Sequence, residues 1–167
     1  MEFNEAKEKF LQTWGALGTQ WGINKTMAQI HALLMISPVS LSMDEVMEEL
    51  QISRGNASMN LRALIDWGII FKEYKTGERR EYFAAEPDIE QLARKIARER
   101  SKREIKPTIR VLEDVQQLEN DNSAETKHFK AKTKELYDFV STADTMLEKI
   151  VGQKENWITK TIMKLMS

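Results

Sequence analysis

From Ser53 to Arg62 the chain sets Arg54, Gly55, Asn56, Ser58, Met59 and Arg62 within one short stretch, and no acidic side chain occurs before Ala63. Guanidinium groups pair with phosphate oxygens or bidentately with guanine, and a carboxamide addresses adenine or a phosphate. The hydroxyls of Ser53 and Ser58, beside the free amides of a helix N-terminus, suit phosphate oxygens. Gly55 lets a helix backbone approach another surface closely. A second basic group, Lys72, Lys75, Arg79 and Arg80, surrounds Thr76-Gly77-Glu78, where cations are placed for phosphates or for the minor groove. Each group alone has a plainer reading, as a solvated helix face or as charge protecting an edge strand. Their combination points to nucleic acid.

These residues act only if a helix presents them. At about 100° per residue, a helix over 54–67 puts Ala57, Leu61, Leu64 and Ile65 on one side and Gly55, Met59 and Arg62 on the other, flanked by Asn56 and Ser58. The first side is expected to be buried and the second to face a duplex. Ahead of it, Ser42-Met43-Asp44-Glu45 is a capping box that opens a helix with Met43, Val46, Met47 and Leu50 on one face. That helix ends by Gln51-Ile52, and Ser53 caps the next after a very short connection. Gly68 stands where a left-handed residue closes a helix. Residues 69–75 and 79–85 are β-prone runs joined by a short segment containing Gly77, which predicts a two-stranded hairpin.

Upstream, Phe3, Phe10, Leu11 and Trp14 predict an amphipathic helix over 2–14, after which Gly15, Gly18 and Gly22 break the pattern. Asn24 caps a strongly apolar helix carrying Met27, Ile30, Ala32, Leu33, Leu34 and Ile36, which Ser37-Pro38 ends and which is expected to be central. After Pro87-Asp88 the chain reads as helical almost throughout. Ile89, Leu92 and Ile96, then Ile105, Ile109, Leu112, Val115 and Leu118, keep an apolar face. Pro107 is either the first turn of a new helix or a kink. A break at 120–123 precedes a helix over about 124–151 and a short one over 157–166.

Composition narrows the chemistry. The 167 residues are 41% hydrophobic and 31% charged, a foldable globular balance, and contain no cysteine and two histidines, His31 and His128. Thiolate zinc sites, disulfides and cysteine nucleophiles are thereby excluded, and a histidine metal cluster has little to build from. No Gly-rich phosphate loop or nucleophile–base pair occurs, so neither an enzyme nor a cofactor is expected. Net charge is −1, yet residues 53–110 carry 14 basic and 9 acidic side chains, while residues 1–52 carry 3 and 7. Positive charge collects in the middle of an acidic chain, as an electrostatic footprint does. No apolar run approaches the ~20 residues of a bilayer span, and the start of the chain lacks a secretory h-region. A cytoplasmic protein without membrane contact is expected.

The order helix, helix, short turn, helix, ribbon is that of a winged helix-turn-helix. Trp21-Gly22-Ile23-Asn24-Lys25 and Ala28-Gln29-Ile30-His31-Ala32-Leu33-Leu34 resemble the opening of the GbsR-type branch of the MarR superfamily. Leu41-Ser42-Met43-Asp44-Glu45-Val46 and Ile52-Ser53-Arg54-Gly55-Asn56-Ala57-Ser58-Met59-Asn60-Leu61-Arg62-Ala63-Leu64 are similar to its helix-turn-helix. Trp67-Gly68-Ile69-Ile70 and the Thr76-Gly77-Glu78-Arg79-Arg80-Glu81-Tyr82-Phe83 wing continue the likeness, which covers roughly residues 10–112. It implies a dimeric, repressor-like transcriptional regulator that binds double-stranded DNA and responds to a small effector, choline in some members. A quaternary ammonium needs an aromatic cage, for which Trp14, Trp21 and Trp67 are the candidates, with Tyr74, Tyr137 and Trp157 behind them; aromatics at helical spacing also serve as core.

The expected fold is mainly α with a small β-hairpin: an N-terminal dimerisation helix (1–22), a winged helix-turn-helix (23–88) and a C-terminal helical dimerisation region (89–167). Dimerisation follows from apolar faces left over on the first helix and after residue 105, and the alternative is an intramolecular bundle. The rival function is a winged-helix module for protein–protein contact, whose outward face over 54–62 should be apolar or acidic.

Overall fold

The computed structural model describes residues 1–119, 121 and 123–152. The helix expected over 157–166, and Trp157 with it, lie outside the described residues, as do two positions of the expected break at 120–123. The described chain runs α1 (Phe3–Gln20), α2 (Lys25–Ile36), β1 (Leu41–Ser42), α3 (Met43–Leu50), α4 (Arg54–Asp66), β2 (Ile70–Tyr74), β3 (Glu81–Ala85) and α5 (Ile89–Arg100). A π-helical turn (Ser101–Ile105), α6 (Lys106–Gln116) and α7 (Ala124–Gly152) follow. Two compact units divide within α5, the first being Met1–Leu92. Among the described residues, no helix is long and apolar enough to cross a membrane.

In the first unit α2 is the central element, with Met27, Ala28, Ile30, His31, Ala32, Leu33 and Leu34 all buried. Asn24 caps it as expected, its Oδ1 accepting from the amides of Thr26 (2.8 Å) and Met27 (3.4 Å). Around α2 close Val46 from α3, Ala57, Leu61 and Leu64 from α4, and Ile69, Ile70, Tyr82 and Phe83 from the sheet. The helix expected over 2–14 instead continues to Gln20, and Gly15 and Gly18 lie buried inside it. They do not break the helix because a closely packed neighbour outweighs their poor propensity. A Cβ on Gly18 would sit 2.5 Å from the Ala28 Cβ, and one on Gly15 2.7 Å from the Gln29 Cγ. The two glycines are the notches that let α1 approach α2. Helix α1 ends at Gln20 with Trp21 as its cap, and Gly22, two residues past the end, has φ +78°.

Gly18→Leu is accordingly expected to lower the urea midpoint by an amount corresponding to about 1–3 kcal/mol, the cost of overfilling a packed contact. Equilibrium unfolding at constant m checks this. An unchanged midpoint would mean that α1 does not lie against α2.

The expected two-stranded hairpin is a three-stranded antiparallel sheet of order β1-β3-β2. β2 and β3 pair from Ile70↔Ala85 to Tyr74↔Glu81. β1 adds Leu41↔Phe83 and Ser42↔Tyr82. A two-residue strand leaves no periodic pattern in the sequence, and Ser42 reads there only as a cap. It is both. The amide of Ser42 donates to Glu45 Oε2 (2.7 Å) while its hydroxyl accepts from the Glu45 amide (3.3 Å).

In the second unit α6 and α7 form an antiparallel hairpin. Gln116 donates to Thr133 (2.6 Å), Tyr137 to Glu113 (3.1 Å), and Lys106 pairs with Glu148 (2.7 Å). Pro107 stands in the first turn of α6, the first of its two expected places. Its ring excludes the carbonyl four residues back and it has no N–H to give, and the ladder ahead of it slips to π spacing. The Lys106 amide donates to the carbonyl of Ser101. Along α7, Phe129, Leu136, Phe139, Met146 and Ile150 form an exposed apolar stripe beside the face turned to α6.

Candidate nucleic-acid interface

The turn between α3 and α4 is three residues long. Gln51 closes α3 in the left-handed region (φ +51°), and its side-chain amide donates to the Glu48 carbonyl (2.6 Å). Ser53 then opens α4, its hydroxyl accepting from the Asn56 amide at 3.3 Å. At the other end Gly68, with φ +69°, donates to the Ile65 carbonyl (2.8 Å), and Ile69 donates to that of Leu64 (3.2 Å). That pair of bonds is a Schellman closure, completed by burial of both Leu64 and Ile69. Both ends of α4 are thus fixed by local chemistry.

Its rotation is fixed by burial. Ala57, Leu61 and Leu64 are at most 2% exposed, whereas Met59 is 59% exposed and Arg54, Gly55 and Arg62 face solvent with it. A Cβ on Gly55 would meet nothing within 4 Å, so its backbone is open to a partner. Ser58 is half-buried at the rim.

Asn56 departs from its expected place among the outward residues. It is half-buried, its Oδ1 accepts from Asn60 Nδ2 (2.7 Å), and its Nδ2 donates to the Thr26 hydroxyl (3.4 Å). Asn60 is itself buried and also donates to the Asn56 carbonyl (2.9 Å). The carboxamide therefore ties α4 to the first turn of α2 and is engaged before any base arrives. The sequence signal was Asn60, four residues on and between Ala57 and Leu64 on the buried side: a polar residue there needs a partner, and Asn56 is the group in reach.

The wing bends at 75–78, where the Glu78 amide donates to the Lys75 carbonyl (3.0 Å) and Gly77, at the third position, has φ +85°. Lys75 Nζ lies 3.7 Å from the centroid of the Tyr82 ring. The Tyr82 hydroxyl donates in turn to the Glu78 carboxylate, which pushes the phenol above its ordinary pKa. Lys72 pairs with Glu81 at 2.8 Å and Arg54 with Asp44 at 2.6 Å. Arg62, Arg79 and Arg80 are exposed and in no ion pair among the described residues. Between α4 and the wing lies a cleft of about 310 Å³, lined by Arg54, Ser58, Arg62, Lys72 and Arg80 together with Asp44 and Glu81. Sequence reasoning did not assign a role here to Asp44, seen only inside the capping box, or to Glu81, seen only as a wing residue.

The aromatic candidates are dispersed. Trp14 stacks against Phe10, with ring centroids 5.4 Å apart; Trp21 is half-exposed at the end of α1; Trp67 caps α4. Tyr74 is exposed on the wing, its hydroxyl 3.5 Å from Glu81, and Tyr137 is engaged with Glu113 in α7.

A capped helix turned outward by its apolar stripe, preceded by a helix and a three-residue turn and followed by a β-ribbon, is a winged helix-turn-helix. No family model and no curated protein matches the sequence. Among solved structures, one described as a transcriptional regulator is similar, with a TM-score of 0.66 and 19% identity over 88% of this chain and 96% of that one. A second, a mutant of S. aureus MepR bound to an oligodeoxyribonucleotide, has a TM-score of 0.42 and 16% identity over 83% and 94%. The first likeness carries the fold: a mainly helical chain with a small antiparallel sheet, of winged-helix architecture.

Proposed function

We propose that this protein is a sequence-specific DNA-binding transcriptional regulator of MarR/GbsR type, a repressor in the cytoplasm that binds a pseudo-palindromic operator as a homodimer. One observation carries the reading. The solvent face of α4 is basic and polar, with Arg62 at its centre and Arg79 and Arg80 at the adjoining ribbon, all three in no ion pair among the described residues. A module for protein contact would show an apolar or acidic face there. α4 would enter the major groove, with Gly55, Met59 and Arg62 toward base edges and Ser53, Arg54 and Ser58 toward the backbone. Asn56 supports α4 from behind. Lys75, Arg79 and Arg80 would meet flanking phosphates. The GbsR-type placement rests on the sequence motifs, and the regulatory role is consistent with the similar structure's description.

The dimer is supported by the unfilled stripe of Phe129, Leu136, Phe139, Met146 and Ile150 on α7. Two-fold pairing would set two copies of α4 about one helical turn (~34 Å) apart on the duplex. A small effector such as choline belongs to the same reading, with Trp14, Trp21 and Trp67 as the candidate rings for a quaternary ammonium.

The test is binding of duplexes from the protein's own promoter region against random duplex, by fluorescence anisotropy, with sedimentation equilibrium for stoichiometry. Arg62→Ala is expected to reduce discrimination between the two by about 1–3 kcal/mol per half-site while moving random-sequence affinity far less. Equal loss on both duplexes would remove Arg62 from the base-reading face.

A further inference from the structure

The cleft between α4 and the wing divides its cations into two kinds. Arg62 and Arg80 line it without an ion pair among the described residues, while Arg54 and Lys72 line it already held, by Asp44 at 2.6 Å and by Glu81 at 2.8 Å. These are charge-assisted lengths. All four paired side chains are 41–63% exposed, so each pair sits in water, and exchanging its partner carries little desolvation cost.

Apart from these pairs each carboxylate has only a weak further role, Asp44 as an acid in the first turn of α3 and Glu81 as acceptor for the Tyr74 hydroxyl. The box that caps α3 is made by Ser42 and Glu45, not by Asp44. Glu81 stands opposite Tyr74 in the ladder, with the Tyr74 hydroxyl 3.5 Å away and Lys72 two residues along the same strand. Both acids therefore occupy, inside a net-positive cleft, the position that a phosphate oxygen takes against an arginine or a lysine.

We propose that Asp44 and Glu81 are the affinity-setting residues of this interface: internal competitors that hold Arg54 and Lys72 until a backbone phosphate of a duplex displaces them. This rests on the DNA-binding reading above and deepens it. When phosphate takes either cation, the freed carboxylate is left facing the polyanion, and that repulsion is present on every duplex. Random sequence offers nothing to offset it. An operator does, through the base edges met by the outward face of α4. The two acids thus lower binding everywhere and leave discrimination to base contacts.

The experiment compares Asp44→Asn, Glu81→Gln and the double variant with the wild type, using a labelled random-sequence duplex and a promoter fragment across a salt series. Glu5→Gln, on exposed α1, removes the same charge away from the cleft and controls for net charge; thermal midpoints control for folding. Each cleft variant is expected to bind random duplex roughly fivefold more tightly per protomer at low salt, about 25- to 30-fold for the dimer, the effect of one water-screened charge at about 4 Å in each copy. The slope of log K against log salt should steepen by about 0.9 per carboxylate removed, and promoter affinity should rise by the same factor, leaving the ratio of promoter to random affinity unchanged. Glu5→Gln should do none of this.

Wild-type binding with variants unchanged in affinity and slope overturns the competitor role while leaving the DNA reading intact. Loss of promoter affinity alone in Asp44→Asn or Glu81→Gln also overturns it, since the acid would then be reading a cytosine amine. Failure of wild type and variants alike to bind any duplex overturns both.

Discussion

Replacing Arg79 and Arg80 together by alanine is expected to weaken binding to every duplex alike, on the order of 10²- to 10³-fold at low salt for a dimer. The two side chains are exposed beside the turn of the wing, and neither pairs with a carboxylate among the described residues. A dimer carries four of them. Each that neutralises a phosphate releases about 0.9 of a counterion, so the slope of log K against log salt should flatten by about 3.6. Promoter and random affinities should fall by the same factor, because phosphates carry no sequence. This signature is the opposite of that expected for Arg62→Ala, which changes the ratio and leaves the slope nearly alone.

Lys75→Ala separates charge at the wing from charge free to act. Lys75 lies over the Tyr82 ring, and Tyr82 is anchored on Glu78, so part of its interaction is satisfied within the protein. Its loss should flatten the slope by less than either arginine's share. Were the double arginine variant to lose promoter binding but keep its affinity for random duplex, the wing would be reading sequence, and its assignment to phosphates would have to be abandoned.

What was legible in the sequence divides by range. Features set within a single turn were readable: Asn24, Ser42 and Ser53 as caps, Gly68 as a left-handed closure, and the stripe of Ala57, Leu61 and Leu64 that rotates α4. Each depends on neighbours three or four residues away. Features set by a distant partner were not. Gly15 and Gly18 carry helix-breaking propensity, and only the approach of Ala28 and Gln29 turns them into a packing notch. β1 exists because Phe83 and Tyr82 offer it a ladder forty residues away. Asn56 has the chemistry of a base reader, but Thr26 and Asn60 claim it first. Within the candidate site, the cations were visible by type and spacing, while their pairing with Asp44 and Glu81 needed the fold to bring separate elements together.

The second large effect is on the acid side of folding, and it comes from His31. This side chain is 4% exposed in α2, and its Nε2 is buried without a hydrogen-bond partner among the described residues. Burial pushes its pKa down from 6.5 to about 4. The folded state therefore keeps His31 neutral at a pH where the unfolded chain binds a proton. The stability this represents is complete above pH 6.5 and is lost as pH falls from there toward 4, with a slope approaching 1.4 kcal/mol per pH unit and a total of about 3 kcal/mol.

Glu45 has the same sign but a lower window. Hydrogen bonds from Ser42 hold its carboxyl below the ordinary value of 4.5, so its contribution begins to fade only as pH drops through that value. Urea unfolding between pH 6.5 and 5 consequently isolates the histidine. His31→Leu, which fills the space without a titrating group, should flatten the curve over that interval. A wild-type stability that is level from pH 6.5 to 5, or an acid limb that survives in His31→Leu, would remove the histidine as its cause. Because Asn56 of α4 hangs on Thr26 at the start of the same helix, acid loss of α2 should withdraw the support of the DNA-facing helix. In the wild type, duplex binding should then fail in step with unfolding as the pH is lowered, and in His31→Leu both should persist to lower pH.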